Sequence, residues 1–538
     1  MPFSSSQASL VLFLFLLLVL SINFTSPLPL STNGRWIVDS ATGRRMKLPC
    51  VNWASHLEPM LAEGLDKKPL GVIVAEIRRL RFNCVRLTWA TYMFTQPGHG
   101  DQPVEETLDS LGLAEAKGGV ARNNPLVLNM THVEAYAAVV DELGKQGVMV
   151  VLDNHVSKPK WCCAYDDGNG FFGDEYFDPE EWLRGLVAVA EHFNGKSQVV
   201  GMSVRNELRG PRQNEYDWYQ YIRTAATKVH QANPNVLVIL SGLNWASDLS
   251  FLRKRPVGLS LGRKLVYEAH WYSFSGDRKI WEVQPVDRVC ANAVQRMEDQ
   301  AGFLSSGPGA VPLFLGEFGF DQTGKSQADD RFLSCFMGYA AGKDLDWALW
   351  ALQGSYYYRQ GVVGPEETFG VLDFNWDGLR NPKFKERFQL VQTMVQDPSS
   401  NSPMSYIMYH PQSGLCIRAN NNHEIGTAEC QHWSRWIHYR DGSPIRLMGT
   451  PLCLKALGDG LPPVLSNDCS SRRSAWRSIS NSKLHVAATD ERGNRLCLEK
   501  KSNESSVILT RKCICVDDDS GCTENPQGQW FKFVPTNT

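Results

Sequence analysis

Eight short apolar runs alternate with amphipathic segments between about residue 46 and residue 395, and this alternation is the strongest constraint on the fold. The runs read MKLPCVNW, NCVRLTW, VMVVLDNH, VVGMSVRNE, NVLVILSG, KLVYEAHWY, VPLFLGEFG and LDWALWAL. Apolar residues spaced three and four apart predict helices between them, over 70–82, 132–146, 180–193, 216–231, 290–304 and 327–342. The connection between the fifth and sixth runs predicts only a short helix.

Strands this apolar have no face suited to water, so eight β-then-α units predict a parallel (β/α)8 barrel, the TIM barrel, within residues 27–396. An open doubly wound sheet is the alternative, because sequence periodicity does not show whether a sheet closes. The expected fold class is α/β for this part of the chain. In a barrel of this kind, functional side chains collect at the C-terminal ends of the strands.

The pattern ends at residues 397–404, which are rich in Pro, Ser and Asn and are predicted to form a linker. A motif then returns three times, as GLCIRAN, PLCLKAL and RLCLEKK, and a second cysteine follows the first after 14, 16 and 16 residues. Each repeat is predicted to close its own disulfide. Three turn-rich units that are too small to bury a face alone predict a pseudo-threefold, all-β domain over 405–538.

The N-terminus predicts entry into the secretory pathway. The apolar run 10–20 is short for a bilayer and is followed by small and turn-forming residues, which predicts a cleavable signal over 1–26, with an uncleaved anchor as the alternative. Fourteen cysteines and N-x-[ST] sequons at Asn129 and Asn503 fit an oxidising compartment. We therefore expect a secreted, extracellular or secretory-pathway protein with no membrane contact after signal cleavage. Its six barrel cysteines allow 15 pairings.

The charge balance narrows the possible partners. A formal net charge of -2 and a pI near 6.6 give no electrostatic reason to expect nucleic acid or an anionic membrane as a partner. The chain has no H-x-H or H-E-x-x-H spacing, so we expect no metal, and nothing in it predicts a cofactor. The partner should be neutral or small.

Polar side chains stand where the predicted strands end. They are Arg86, His155, the pair Asn206 and Glu207, His270 with Tyr272, Glu317, and Trp350. Burying two carboxylates at the tips of apolar strands costs several kcal/mol unless they are paired or used. Two carboxylates beside an Arg, two His and a Tyr suit a general acid/base and a nucleophile acting at a sugar carbon.

These residues resemble the pattern of glycoside hydrolase family 5, the cellulase and mannanase family, over about residues 46–395. The resemblance implies that Glu207 is the acid/base and Glu317 the nucleophile of a retaining double displacement. It implies that Asn206 holds the sugar 2-hydroxyl, that His270 and Tyr272 order the carboxylates, and that Trp350 forms the floor of the sugar site. Arg86 and His155 complete the implied substrate-binding set.

The three-repeat tail resembles the ricin-B type β-trefoil, a sugar-binding lectin fold. Lectin repeats commonly place an Asp two residues after the first cysteine, whereas this chain has Arg418, Lys455 and Glu499 there. Glycan binding by the tail and a structural or docking role are both left open.

The expected function is hydrolysis of β-linked glucan or mannan, by endo or exo action. A retaining enzyme needs carboxyl groups about 5–5.5 Å apart, whereas an inverting enzyme needs about 6.5–9.5 Å. One alternative is a carbohydrate-binding, lectin-like protein whose barrel has lost turnover. A second alternative is a transglycosylase that uses the same site.

Overall fold

The computed structural model describes residues 29–538 except 421, 433, 502–505 and 517–520. The predicted signal at 1–26 and the Asn503 sequon lie outside the described residues, so both stay predictions. Asn129 is described and exposed. Among the described residues, no helix combines the length and the apolar character that crossing a membrane requires.

Eight parallel strands close into a barrel in chain order, and the last strand pairs with the first. The strands are β1 (Pro49–Trp53), β2 (Cys84–Ala90), β3 (Met149–Val156), β4 (Val199–Ser203), β5 (Leu237–Ser241), β6 (Leu265–Trp271), β7 (Leu313–Phe318) and β8 (Asp346–Leu349). Each strand coincides with one of the eight apolar runs to within one residue at its C-terminal end, so the predicted TIM barrel is confirmed.

Helices cover the outside of the barrel. The six predicted ones occupy Leu70–Arg79, His132–Lys145, Pro179–His192, Glu215–Ala232, Val286–Gln300 and Gln327–Lys343. Further helices and 3-10 turns occupy Tyr92–Thr95, Val104–Ser110, Ala114–Asn123, Pro125–Leu128, Leu243–Ala246, Ser250–Arg253, Ile280–Val283, Gly302–Ser305 and Phe384–Gln392. The link from β5 to β6 has only the two short pieces Leu243–Ala246 and Ser250–Arg253, as its sequence predicts.

The N-terminal end of the barrel is closed by a β-hairpin, Leu30–Asn33 with Trp36–Asp39. Leu30 and Ile37 of the hairpin pack into one apolar cluster with side chains from the starts of the barrel strands, including Phe314. This plug removes the lower end of the barrel from water. The opposite end, where the strands finish, stays open.

The chain after the barrel is all β. Its strands are Ser405–His410, Leu415–Ala419, Ile425–Ala428, Trp436–Ile437, Arg446–Leu447, Cys453–Lys455, Val464–Ser466, Arg477–Ile479, His485–Thr489, Arg495–Lys500, Ile508–Lys512 and Lys532–Thr536, and 3-10 turns lie at Cys430–His432, Arg472–Ser474 and Pro526–Gln529. Ile417, Leu454 and Leu498 each follow the first cysteine of a repeat, and all three meet in one core. The repeats therefore bury their apolar faces against each other.

All fourteen cysteines are paired. Each repeat of the tail closes its own loop, through Cys416–Cys430, Cys453–Cys469 and Cys497–Cys513, which confirms the predicted pairing. The remaining pairs are Cys50–Cys84, Cys162–Cys163, Cys290–Cys335 and Cys515–Cys522.

Candidate active site

A cavity of about 810 Å³ opens at the C-terminal end of the barrel strands. Six of the eight predicted site residues line it: His155, Glu207, His270, Tyr272, Glu317 and Trp350. The other two, Arg86 and Asn206, are almost fully buried and hydrogen bond to these residues from below. The structure thus brings all eight predicted side chains to one site, in a cavity of the size that binds small ligands.

Glu317, near the end of β7, is held through both of its carboxylate oxygens. Arg86 Nη1 donates to Oε1 at 3.0 Å, and the Tyr272 hydroxyl donates to Oε2 at 2.8 Å. Burial has the largest effect on the Glu317 carboxyl and raises its pKa to about 7, although His270 and Arg86 act to lower it. These two contacts fix the direction in which the carboxylate faces the cavity.

Glu207 follows β4 and faces Glu317 across His270. Nδ1 of His270 lies 2.9 Å from Glu207 Oε1 and 3.8 Å from Glu317 Oε2. One donor atom from each of the three side chains lies within 4.8 Å of the other two. The two carboxyl groups therefore share one small space, with an imidazole between them.

His270 carries a proton on both ring nitrogens at neutral pH. Burial lowers the pKa of the imidazole, but Glu317, Glu207 and Glu268 outweigh burial and raise it to about 10. The imidazolium donates from Nδ1 to Glu207 and from Nε2 to Glu268, the second contact being 3.1 Å. A fixed positive charge thus stands beside the two cavity carboxylates.

Arg86 is the buried counter-charge of the site. Its Nη2 atom lies 2.9 Å from Asp153 Oδ1 and 2.7 Å from Glu268 Oε1, in addition to the contact with Glu317. Burial lowers the pKa of the guanidinium, but these three carboxylates together raise it above its ordinary value. Arg86 also donates to Asn206 Oδ1 at 2.9 Å, so it orients the amide that precedes Glu207.

Glu268 was not among the residues predicted from the sequence. It lies on β6, is fully buried, and contacts Arg86, His270 and the Ser203 hydroxyl, which donates to it at 2.5 Å. Burial raises the pKa of Glu268, but Arg86 and His270 more than offset burial and lower it. The sequence does contain a signal for this residue, because Glu268 is the one acidic residue in the largely apolar run KLVYEAHWY.

Asn206 and His155 form the next part of the site. Asn206 Nδ2 lies 3.4 Å from His155 Nε2, and His155 Nδ1 lies 2.6 Å from Asp153 Oδ2. Burial, followed by the charges of Arg86 and His270, lowers the pKa of His155 well below its ordinary value, so this ring is neutral. The Nδ1–H bond to Asp153 then leaves Nε2 as an acceptor for the Asn206 amide.

Aromatic rings form the cavity wall beside His155. Trp350 stacks on the His155 ring with 5.5 Å between centroids, and Trp161 meets Trp350 edge-on at 6.4 Å. The Arg359 guanidinium lies over Trp161, 4.6 Å from the ring centroid, and is paired with Glu367 at 3.2 Å. This wall offers flat apolar surface with polar groups at its edge, which suits the C–H face of a sugar ring.

Another aromatic residue, Trp245, lines the cavity from the loop after β5. Asn244, Trp245 and Ala246 all have φ between 53° and 57°, in the left-handed region that non-glycine residues rarely occupy. The Gln213 side chain bonds Asn244 at both its amide and its backbone N–H, at 2.9 and 3.0 Å, and holds this turn in place. Sequence patterns gave no indication of such a turn.

The donor atoms of the cavity do not suit a metal ion. Glu207, His270 and Glu317 are close enough to form a three-ligand site, but both nitrogens of the His270 imidazolium carry protons and bind carboxylates. His155, Cys162 and Cys163 form the other compact group, and their two sulfurs are joined in a disulfide. That the protein uses no metal and no cofactor stays a prediction.

Comparisons with known proteins agree with this geometry. The family model for cellulase (glycosyl hydrolase family 5) matches residues 64–355. A "Glycosyl hydrolase 5 family protein" from Chamaecyparis obtusa is 46% identical over 527 residues, covering 95% of this chain and 93% of that protein. The "Major extracellular endoglucanase" of Xanthomonas campestris pv. campestris is 22% identical over 390 residues, which cover 69% of this chain and 72% of that protein.

Solved structures show the same fold. An endocellulase from the archaeon Pyrococcus horikoshii superimposes with a TM-score of 0.55 at 19% identity, covering 68% of this chain and 99% of that one. The catalytic domain of the Xanthomonas campestris endoglucanase gives a TM-score of 0.53 at 20% identity, covering 68% of this chain and all of the other.

Proposed function

This chain belongs to glycosyl hydrolase family 5 and is a glycoside hydrolase, and from that premise we propose that it cleaves β-linked glucan by a retaining double displacement. Glu317 is the nucleophile and Glu207 the acid/base. The observation that carries the proposal is the close approach of the two carboxyl groups, whose oxygens come within 4.8 Å of each other at the open cavity. That spacing supports retention, since inversion needs room for a water between the carboxyls.

The hydrogen bonds distinguish the two carboxyl groups. Arg86 and Tyr272 both donate to Glu317 and stabilise its negative charge. Within the part of the chain that the structure describes, the Glu207 carboxyl receives neither contact and hydrogen bonds to His270 alone. The first step requires a proton on Glu207 and a negative charge on Glu317, and the two contacts to Glu317 support that assignment of roles.

In the first step, a Glu317 oxygen attacks the anomeric carbon as the glycosidic C–O bond breaks. Glu207 gives its proton to the departing oxygen, so the leaving group departs as a neutral alcohol. The Asn206 amide, oriented by Arg86, holds the sugar 2-hydroxyl, a contact that strengthens in the transition state. The product is a covalent ester between Glu317 and the sugar.

In the second step, Glu207 is a carboxylate and removes a proton from water. The water oxygen attacks the anomeric carbon from the side that the leaving group vacated, and the bond to Glu317 breaks. The His270 ring lies within 3.8 Å of both carboxyl groups and stabilises whichever carboxylate is charged. Two inversions leave the anomeric configuration unchanged.

The proposed substrate is a β-glucan chain or oligosaccharide. Trp350, Trp161 and Trp245 line the cavity with flat apolar rings that suit equatorially substituted pyranoses, and the similar proteins from Xanthomonas campestris and Pyrococcus horikoshii are named as an endoglucanase and an endocellulase. Mannan stays an alternative, since the two sugars differ only at the 2-hydroxyl. Hydrolysis rates on mixed-linkage glucan, cellulose and mannan, with the product lengths, distinguish the substrates and separate endo from exo action.

Carboxylate variants test the proposed roles. E317Q should reduce the turnover of an aryl β-cellobioside at least about 10⁴-fold, because no nucleophile remains. E207A should spare substrates with a good leaving group in the first step and regain turnover with added azide, which replaces water without needing a base. Turnover that E317Q leaves unchanged would contradict the role of Glu317, and a wild-type protein that binds these sugars without turnover would support the lectin-like alternative. Transfer to an added alcohol in preference to water would support the transglycosylase alternative.

We also propose that the all-β region is a ricin-B type trefoil with a mainly structural role. Lys455 is paired with Asp468 at 2.7 Å, and Glu499 accepts from Gln529 at 2.8 Å. At two of the three repeat positions where lectins place a sugar-binding Asp, the side chain is therefore already engaged. Glycan binding by this region predicts retention of the E317Q protein on immobilised galactose or lactose, and a structural role predicts none.

Secretion is a further part of the proposal. Seven disulfides and the exposed Asn129 sequon fit the oxidising secretory pathway. Expression of the full chain in a eukaryotic host should give a secreted product that begins near residue 27. Its mass should fall on treatment with an N-glycosidase. An intracellular product with an intact N-terminus would contradict this proposal.

A further inference from the structure

The adjacent cysteines Cys162 and Cys163 lie in the loop after β3 and form part of the cavity wall. A disulfide buried away from the cavity would be enough to stabilise a loop, yet this one faces the same space as Glu207 and Glu317. The other disulfides are not among the residues that line this cavity. The Cys162–Cys163 disulfide therefore differs from the other disulfides in lying at the wall of the active-site cavity.

The disulfide contacts the amide assigned to the sugar 2-hydroxyl. Asn206 Nδ2 lies 3.7 Å from Cys162 Sγ and 3.7 Å from Cys163 Sγ. Arg86 and His155 hold the amide from its other sides, at 2.9 and 3.4 Å. The sulfurs thus complete the enclosure of Asn206 on the side of the cavity wall.

The same loop also supports Trp245, another residue that lines the cavity. The indole Nε1–H of Trp245 donates to the Cys163 carbonyl at 2.9 Å. A movement of the loop would therefore displace both the Asn206 amide and the Trp245 ring. Two joined sulfurs also give a compact, apolar surface with little rotational freedom, so contact with a sugar costs little side-chain entropy.

We propose that the Cys162–Cys163 disulfide is a substrate-contacting wall of the sugar site and positions Asn206 for the 2-hydroxyl. The inference rests on the proposed function, because it assigns a partner to the Asn206 amide. The bond is part of the binding machinery. Its reduction to two thiols leaves Asn206 and Trp245 less well held and weakens transition-state binding.

A paired-substrate experiment tests the positioning role. The C162S/C163S variant should lose at least about tenfold in kcat/KM on an aryl β-cellobioside, and less than about twofold on the matching cellobioside that lacks the 2-hydroxyl of the sugar bonded to the aryl group, because Asn206 then has no hydroxyl to hold. The N206A variant should show the same selective loss. Equal losses on both substrates, or no loss on either, would overturn the proposal.

The control variant is C290A/C335A, which removes a buried disulfide between two outer helices. It should leave both rates within about twofold of wild type. Wild-type protein that turns over neither substrate would mean that the proposed function has failed. A wild type that is active and inactivated by E317Q, with a C162S/C163S variant that is fully active, would mean that only this inference has failed.

A protection experiment tests direct contact with substrate. In the E317Q protein a water-soluble phosphine cleaves the S–S bond, is oxidised to the phosphine oxide by taking oxygen from water, and leaves two thiols that iodoacetamide then labels. Saturating cellotetraose should slow labelling of Cys162 and Cys163 at least about fivefold, and should leave labelling of the Cys515–Cys522 pair in the all-β region unchanged. Equal labelling rates with and without the sugar would contradict contact.

Discussion

At the scale of single residues, the site depends on charges that are buried below the cavity. Glu268 does not itself line the cavity, yet it pairs with Arg86 and holds His270 by Nε2. The His270 imidazolium in turn contacts Glu207. Glu268 is therefore a positioning residue, and it acts on the reaction through the charge of His270.

The variant E268Q tests this role through pH. Removing one of the carboxylates that raise the pKa of His270 should lower that pKa from about 10, so the alkaline limb of kcat/KM moves toward neutral pH by about one unit or more. The exposed Glu282→Gln is the matched control and should leave the profile unchanged. An unshifted alkaline limb in E268Q would show that His270 does not need its second carboxylate.

The same pKa shift predicts how stability changes with pH. The pKa of His270 rises from about 6.5 in the unfolded chain to about 10 in the folded protein. Its contribution to the unfolding free energy is therefore fully present below about pH 6.5 and is lost as the pH rises toward 10. Denaturant titrations of wild type and the variant H270N should show a pH dependence over this range that the variant lacks.

The sequence predicted eight residues of the site, including the buried Arg86 and Asn206, and missed the buried Glu268 that supports them. Glu207 and Glu317 stand at the ends of apolar strands, where only function or pairing explains a carboxylate. Glu268 lies on β6 two residues before His270, among mostly apolar residues. Its partner Arg86 is 182 positions away in the chain. No local pattern shows that such distant residues pair, so this part of the site needed the structure.

At the scale of elements, two outer helices of the barrel are joined covalently. Cys290 of Val286–Gln300 bonds Cys335 of Gln327–Lys343, and both residues are buried. The bond closes a loop of 45 residues. In the chain-entropy account, a loop of this length contributes about 4 kcal/mol by restricting the unfolded state.

Removal of this bond should affect stability and leave catalysis intact. The C290A/C335A variant should lose about 2–4 kcal/mol of unfolding free energy in denaturant titration, because the unfolded chain gains freedom. Its kcat/KM should stay within about twofold of wild type, since neither cysteine lines the cavity. A large loss of activity in a variant that remains folded would show that this helix pair influences the site.

Strands and helices were predicted well from the strong periodicity of apolar residues, whereas the conformation of loops was predicted poorly. All eight barrel strands and the six long helices were predicted from apolar spacing. The left-handed turn at Asn244–Ala246 was not, because it is held by Gln213, a residue from a different loop. The Cys162–Cys163 pairing was likewise one of 15 possibilities that the sequence left open.

At the scale of the whole molecule, the all-β region packs against the barrel. Helix Gln327–Lys343 is buried on nearly all its faces, and Gly338 on this helix lies against Leu484 and Pro411 of the all-β region. A helix that is buried on all its faces has neighbours on every side, and here those neighbours are the barrel and the all-β region. The two regions therefore stabilise each other across an apolar contact.

Asp287, on a barrel helix, forms hydrogen bonds with the all-β region across this contact. Its buried carboxylate accepts from the backbone N–H groups of Asn481 and Ser482, at 3.1 and 3.4 Å, and from the Ser482 hydroxyl. The variant D287A leaves these donors unpaired and should cost about 1–3 kcal/mol. Scanning calorimetry should show an earlier transition for the all-β region, whereas the exposed Asp299→Ala on the same helix should change nothing.

The central claim concerns Glu317, and a trapped intermediate tests it most directly. A 2-deoxy-2-fluoro-β-cellobioside with a dinitrophenyl leaving group slows both steps, but its good leaving group lets the first step outrun the second, so a retaining enzyme accumulates the covalent ester. Peptide mapping by mass spectrometry should place one fluorosugar on Glu317 per chain. A label on another residue, or no label while the natural substrate releases a product of inverted configuration, would contradict the account.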